Sequence, residues 1–356
     1  MSNQKGCSCN RRDNFENPEL ITQARICATS FSKSSTQQLK NIIDNHQSQF
    51  HLDRLSAAFL TSKLWKPNSE VKVGFLGTGE DTPKTPLRAF QKDVDPLAQF
   101  VYDNPPVDSV KKIIRERYQP IVNLKFTFVD DPSDADVKID FVPTDGSWSL
   151  LGTDCLNESG ATLNLGWIDC PTILHELGHT LGLFHEHQNP RGQSINWDKQ
   201  AVYKWASETQ GWDKETTDIN IFDHYDLNLT NGSVYDPLSI MLYFFPAYLT
   251  KDDKGTRINS RLSATDVLWI NKVYGKGAEM TAEEFYPKVY GISLEEGLKL
   301  SKEAGATVGN EPIEAFENTQ ASGKCSTNYI IWFSLFCLVA VLIILFLEYY
   351  NKMCLY

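Results

Sequence analysis

No block of lysine or arginine occurs anywhere in the 356 residues, and the formal net charge is -11. A nucleic-acid binder needs a basic stripe to neutralise phosphates, so the composition argues against that class. Cysteine is sparse too. Eight are too few for a disulfide framework in a chain of this size. Most lie towards the two ends, and only Cys155 and Cys170 stand in the central part. That pair reads either as a disulfide or as two small buried hydrophobes. The stretch "MSNQKGCSCNRRDNFENPEL" has no apolar run, so no secretory signal peptide is expected. "GTGED" (77–81) follows a strand-like run but opens no glycine-rich helix, which argues against a dinucleotide or phosphate loop. Histidine is scarce as well, at 7, yet four of the seven fall at positions 175, 179, 185 and 187.

The remaining composition, 41% hydrophobic and 12% aromatic, suits a packed core. Residues 1–61 are polar and read as an N-terminal extension or pro-segment. Alternation and β-branched residues predict strands at 71–76, 124–129, 136–142 and 161–167. The spacing of Val110, Ile113, Ile114 and Arg117 predicts a backing helix. "LSATDVLWINKVYG" (262–275) reads as a final helix capped by Ser263 or Thr265. Residues 276–328 are acidic and poor in core residues, which predicts a linker or stalk with one short helix at most. Tyr329 to Leu347 carries no charge. As a helix it would span roughly 28 Å, close to the ~30 Å bilayer core. The expectation is a single-pass C-terminal membrane anchor over 329–347, contacting the lipid bilayer, with a short tail at 348–356. The side on which the rest of the chain sits is left open.

The first and second histidines, His175 and His179, are i and i+4. On a helix that places both rings on one side, able to share a metal. Glu176 is turned roughly 100° from His175. It is badly placed as a ligand but able to hold a water beside the ion. A straight helix would carry His185 ~15 Å past His175. Gly182 can take φ > 0, end the helix and turn the chain back, bringing His185 in as a third ligand. Three protein ligands leave a fourth position for water, the arrangement of catalytic zinc. From this composition the eleven-residue pattern arises by chance about once in 10⁵ such chains, so coincidence is set aside. His187, His46, His51 and His224, taken singly, read better as ordinary core or surface histidines.

"HELGHTLGLFHE" (175–186) and "SIMLY" (239–243) together resemble the metzincin zinc metallopeptidases, astacin-like with matrixin-like features. "HEHQNPRG" and "LSATDVLWINKVYG" are similar to the same group, and the resemblance covers roughly 62–275. It implies one catalytic Zn²⁺ per chain on His175, His179 and His185. It also implies Glu176 as general base, Tyr243 as a tyrosine that swings to stabilise the oxyanion, and Met241 as the floor beneath the metal. Glu186 matches the residue that pairs with a new N-terminus once a pro-segment is removed, with Arg191 as an alternative partner. The chain has neither the F-x-G-D switch of astacins nor the P-R-C-G-x-P-D switch of matrixins.

The expected fold is α+β: a twisted mixed sheet with an active-site helix over a mostly irregular C-terminal subdomain. The expected function is hydrolysis of protein or peptide substrates, the peptide lying along an edge strand near Ala161–Gly166. The alternative is a non-catalytic membrane-anchored adhesion or assembly protein on the same scaffold.

Overall fold

The computed structural model describes residues 28–30, 59–60, 63–85, 94–189, 195–223, 230–231 and 235–306. Its strands are β1 (Ala28–Ser30), β2 (Phe59–Leu60), β3 (Glu70–Phe75), β4 (Lys125–Phe128), β5 (Val137–Asp140), β6 (Trp148–Leu150), β7 (Leu163–Asn164) and β8 (Thr230–Asn231). Its helices are α1 (Ala98–Asp103), α2 (Pro106–Ile113), α3 (Cys170–Thr180), α4 (Lys199–Gln210), α5 (Lys214–Thr217), α6 (Ala264–Tyr274), α7 (Ala282–Tyr290) and α8 (Leu294–Ala306).

The main sheet has the order β1-β6-β7-β5-β3-β4. β4, β3, β5 and β7 run parallel, β6 is antiparallel to β7, and β1 lies parallel to β6. Val71, Val73, Val137 and Ile139 point into the core and are at most 2% exposed. α2 and α3 pack behind this face, so the mixed α+β sheet expected from the sequence is present. The backing helix does not end cleanly. It widens into a π turn at Ile114–Tyr118 and tightens at Gln119–Ile121, where Pro120 supplies no backbone donor. Arg117 in that turn makes a buried bidentate pair with Asp95 at 2.8–3.0 Å.

Three expectations need correction. β7 is not an edge strand. It is flanked by β5 and β6, and the edge strand on that side is β1, paired to β6. A three-residue strand such as β6 shows too little alternation to be seen in sequence. Secondly, part of the supposed acidic linker is folded. Ala282, Phe285, Tyr286 and Leu294 belong to the main core, Tyr290 donates to Asp95 at 3.0 Å, and Thr281 and Glu284 form a capping box. The acidic residues lie on the outer faces of α7 and α8, which masked the apolar stripe. Thirdly, the membrane-anchored localisation does not stand. Among the described residues no helix is long and apolar enough to cross a membrane, and residues 329–347 lie outside the described residues. An apolar run alone does not make a span, because its backbone must also form a continuous helix to satisfy its amides in lipid.

Cys155 and Cys170 are free, buried thiols rather than a disulfide. Burial pushes the Cys155 thiol up to about 12 and raises Cys170 well above its ordinary value. The thiolate is the reactive form, so alkylation of the native protein, mapped by mass spectrometry, should label neither site. Labelling of both should appear on unfolding.

Candidate metal centre

α3 starts where the Asp169 side chain accepts from the Thr172 amide at 2.7 Å, with Pro171 in the first turn. It presents His175 and His179 on one face, their ring centroids 4.8 Å apart. The helix stops after Thr180, and Gly182 adopts φ +92°. Gly182 donates to the His179 carbonyl at 2.8 Å and Leu183 to that of Gly178 at 3.0 Å, closing the end of the helix. The reversed chain then returns His185 to the same spot. One ring nitrogen from each of His175, His179 and His185 lies within 4.8 Å of the others, and all three residues are buried.

The donor set fits zinc. The His175 Nδ1 lies 2.8 Å from the Ile240 carbonyl and the His179 Nδ1 2.7 Å from that of Leu183. A carbonyl only accepts, so each Nδ1 carries the proton and each Nε2 lone pair faces inward, as metal-bound histidines require. The buried His175 Nε2 has no hydrogen-bond partner in the protein. The Nε2 atoms of His179 and His185 stand 3.0 Å apart, near the roughly 3.3 Å that tetrahedral Zn–N bonds of ~2.0–2.1 Å impose. Burial lowers His175 to about 4. Burial, then the neighbouring imidazoles, hold His179 and His185 well below their ordinary value. The neutral ring is the ligand form.

Glu176 is 1% exposed and lies outside the three-nitrogen group. Tyr243 is buried, with its hydroxyl 2.5 Å from the His185 Nε2. Met241 packs beneath the helix, where a Cβ on Gly178 would stand 2.6 Å from its sulfur. Gly178, which the motif reading passed over, is thus the residue that lets the methionine floor approach. The turn containing Met241 also holds the ligands. Its Ile240 carbonyl orients His175, and its Met241 carbonyl accepts from the Glu186 amide at 3.0 Å. The Glu186 carboxylate accepts from Asn189 at 3.0 Å and from the Asp236 amide at 2.8 Å. Burial raises it well above the usual carboxylate range. Arg191 lies outside the described residues.

Asp266 on α6 is the residue that the sequence reading missed altogether. Its carboxylate accepts from the Ser239 hydroxyl at 2.7 Å, the Ile240 amide at 2.8 Å and the Ser263 amide at 2.9 Å. It therefore fixes the peptide whose carbonyl holds His175. The only sequence trace was the capping box with Ser263. Asp266→Ala should orphan three donors, at ~1–3 kcal/mol for each one left unsatisfied. Zinc affinity should fall by roughly the 10–100-fold typical of losing such a support. Competition with a chromogenic chelator measures this. Unchanged affinity in a folded variant would show that Ile240 holds its place unaided.

Comparison with known proteins agrees with this geometry. The family model for the astacin peptidases matches residues 102–275. Zinc metalloproteinase nas-13 of Caenorhabditis elegans is 30% identical over 148 residues, covering 38% of this chain and 30% of that protein. Zinc metalloproteinase nas-4 of the same organism is 30% identical over 144 residues, covering 37% of this chain and 42% of that protein. The matched part thus spans less than half of either nematode protein. A solved structure of myroilysin is 31% identical with a TM-score of 0.51, covering 62% of this chain and 99% of that one. With its three-histidine zinc site on the active-site helix and the turn beyond it, the chain belongs to the astacin peptidase family and carries a zinc metalloendopeptidase domain.

Proposed function

We propose that the chain hydrolyses peptide bonds within protein substrates, with Glu176 as general base and Tyr243 as oxyanion donor. The observation that carries this reading is the convergence of three neutral imidazoles on one buried point, with the Glu176 carboxyl one residue along the same helix. Zinc bound there supplies Lewis acidity, lowering the pKa of water toward ~7 and polarising a carbonyl. Glu176, turned off the ligand face, takes the proton of the attacking water and passes it to the departing amine. The Tyr243 hydroxyl, already beside His185, donates to the oxygen that gains charge. His175 and His179 keep their orientation through backbone carbonyls and so need no reorganisation during the reaction.

The substrate lies extended along the outer side of β6, in the place that β1 takes in the structure, adding a strand to the sheet. β6 is joined to the active-site helix through the Ser149 and Thr180 hydroxyls, 3.3 Å apart. Ala28–Ser30 is paired along this edge, so the reading also makes residues 1–61 a pro-segment that must leave before substrate enters.

The test uses the full chain, and the same chain nicked between residues 31 and 58 by limited proteolysis, each loaded with one zinc. Either is incubated with a peptide digest of a complex proteome, because the specificity is not known. The nicked form should cut internal bonds, a chelator should stop it, and zinc should restore it. Failure of the zinc-loaded, nicked chain to cut any peptide would instead favour a non-catalytic scaffold.

A further inference from the structure

His187 closes the histidine run but is not one of the three grouped ligands. It is 4% exposed. Its ring lies 5.4 Å from that of His185 at 24°, 5.0 Å from that of Tyr243 at 34°, and edge-on to Phe245 at 5.3 Å. Its Nε2 stands 3.0 Å from the Asn220 carbonyl, which can only accept, so that nitrogen carries the proton and the ring is tied in place. Phe245 is fully buried and is itself held edge-on by Trp197 at 4.7 Å. The row of rings therefore runs from Trp197, through Phe245 and His187, to Tyr243.

Tyr243 is enclosed by His185 at 4.2 Å, His175 at 5.6 Å, His187 at 5.0 Å and Phe245 at 5.9 Å. His175 and His185 are committed as ligands. His187 is the imidazole wall of this enclosure that lies outside the ligand group, its ring tilted 34° to the phenol. Its position therefore decides where the phenol rests and how readily it departs.

We propose that His187 is a positioning residue for Tyr243. Its ring, fixed through Asn220, holds the phenol hydroxyl at the ligand nitrogen of His185 and limits the positions the phenol takes when it leaves. The inference rests on the reading of Tyr243 as the oxyanion donor. Without this wall the phenol spreads over more positions and is placed less often for the reaction. Removal of the ring should lower kcat by about threefold to tenfold, the worth of a lost ring contact. KM should change little, because His187 is buried at 4% exposure.

The test replaces zinc by Cu(II) in the full chain and reads the visible phenolate-to-copper charge-transfer band, which depends on where the phenol sits. The band should be present in the wild type and absent from Tyr243→Phe. In His187→Ala it should weaken by about threefold or more with one copper retained per chain. In His187→Phe, which keeps a flat ring, it should persist. An undiminished band in His187→Ala overturns the proposal while leaving the Tyr243 reading intact. So does an equal loss in His187→Ala and His187→Phe, or loss of copper from His187→Ala, which would make the residue a support of His185 instead. A wild type that binds copper without any such band overturns both readings together.

Discussion

Glu176→Gln is expected to lower peptide hydrolysis by about 10²–10⁴-fold, the usual cost of losing a general base, while zinc content and folding stay as in the wild type. The reason lies in helix geometry. Each residue turns ~100°, so Glu176 cannot share the face on which His175 and His179 meet, and it is not in the ligand group. It is nonetheless 1% exposed, enclosed beside that group rather than out in solvent. Glutamine keeps the size and polarity of the side chain but has no carboxylate to take a proton. The measurement is kcat/KM on a cleaved peptide, with zinc by elemental analysis and folding by circular dichroism on the same samples. Equal rates for the two proteins would remove Glu176 from the chemistry. Loss of zinc would make it a ligand or a support.

A chain ending at Gly275 is expected not to fold cooperatively, although the family resemblance ends there. The residues beyond it complete the main core: Phe285, Tyr286 and Leu294 are buried at 6% exposure or less. They are also joined to it by specific bonds. Asn271 on α6 donates to the Ile121 and Met280 carbonyls at 2.9 and 3.0 Å, and its side-chain oxygen accepts from the Ala282 amide at 3.0 Å. A Cβ on Gly297 would meet Ala264 and Tyr286 at 2.7 Å, so α8 lies tight against α6 and α7. At roughly 2–5 kcal/mol for each large core side chain removed, three such losses approach the whole ~5–15 kcal/mol net stability of a domain. Denaturant unfolding of the truncated chain should show no cooperative transition, whereas a chain ending at Ala306 should retain one. A transition at the same midpoint in both would show that α7 and α8 are dispensable.

The metal site was legible because its ligands are local. Two histidines one helical turn apart, a glycine that permits a left-handed turn, and a third histidine just beyond it specify the convergence within eleven residues. No distant part of the chain is needed to bring the three together. β3 was legible for a similar reason, since the alternation of Glu70, Val71, Lys72 and Val73 records its buried face directly. Helix α6 announced itself through the Ser263 cap.

What supports the site was not legible. His175 is held by a carbonyl 65 residues away, and that peptide is held by Asp266, 26 residues further on. Neither pairing leaves a mark in local composition, because a buried aspartate looks in sequence like any surface acid. The same holds for Gly178, whose missing side chain matters only once Met241 is beneath it. β7 was misplaced at the edge because β6, beyond it, is three residues long and takes its identity from β7 and β1 rather than from its own pattern. The acidic stretch after Gly275 looked like a linker because charge dominates its composition, while only the packing of α7 and α8 on the core decides which face is buried. His187, set aside as one histidine among several, gained its interest from the rings around it. The sequence by itself determined the three-histidine donor set and the metal it suits, since coordination depends on side-chain chemistry and short spacing. Only the tertiary structure decided what orients those residues, which strands are internal to the sheet and that the core extends past Gly275, because each depends on contacts between segments whose separation along the chain carries no local signal.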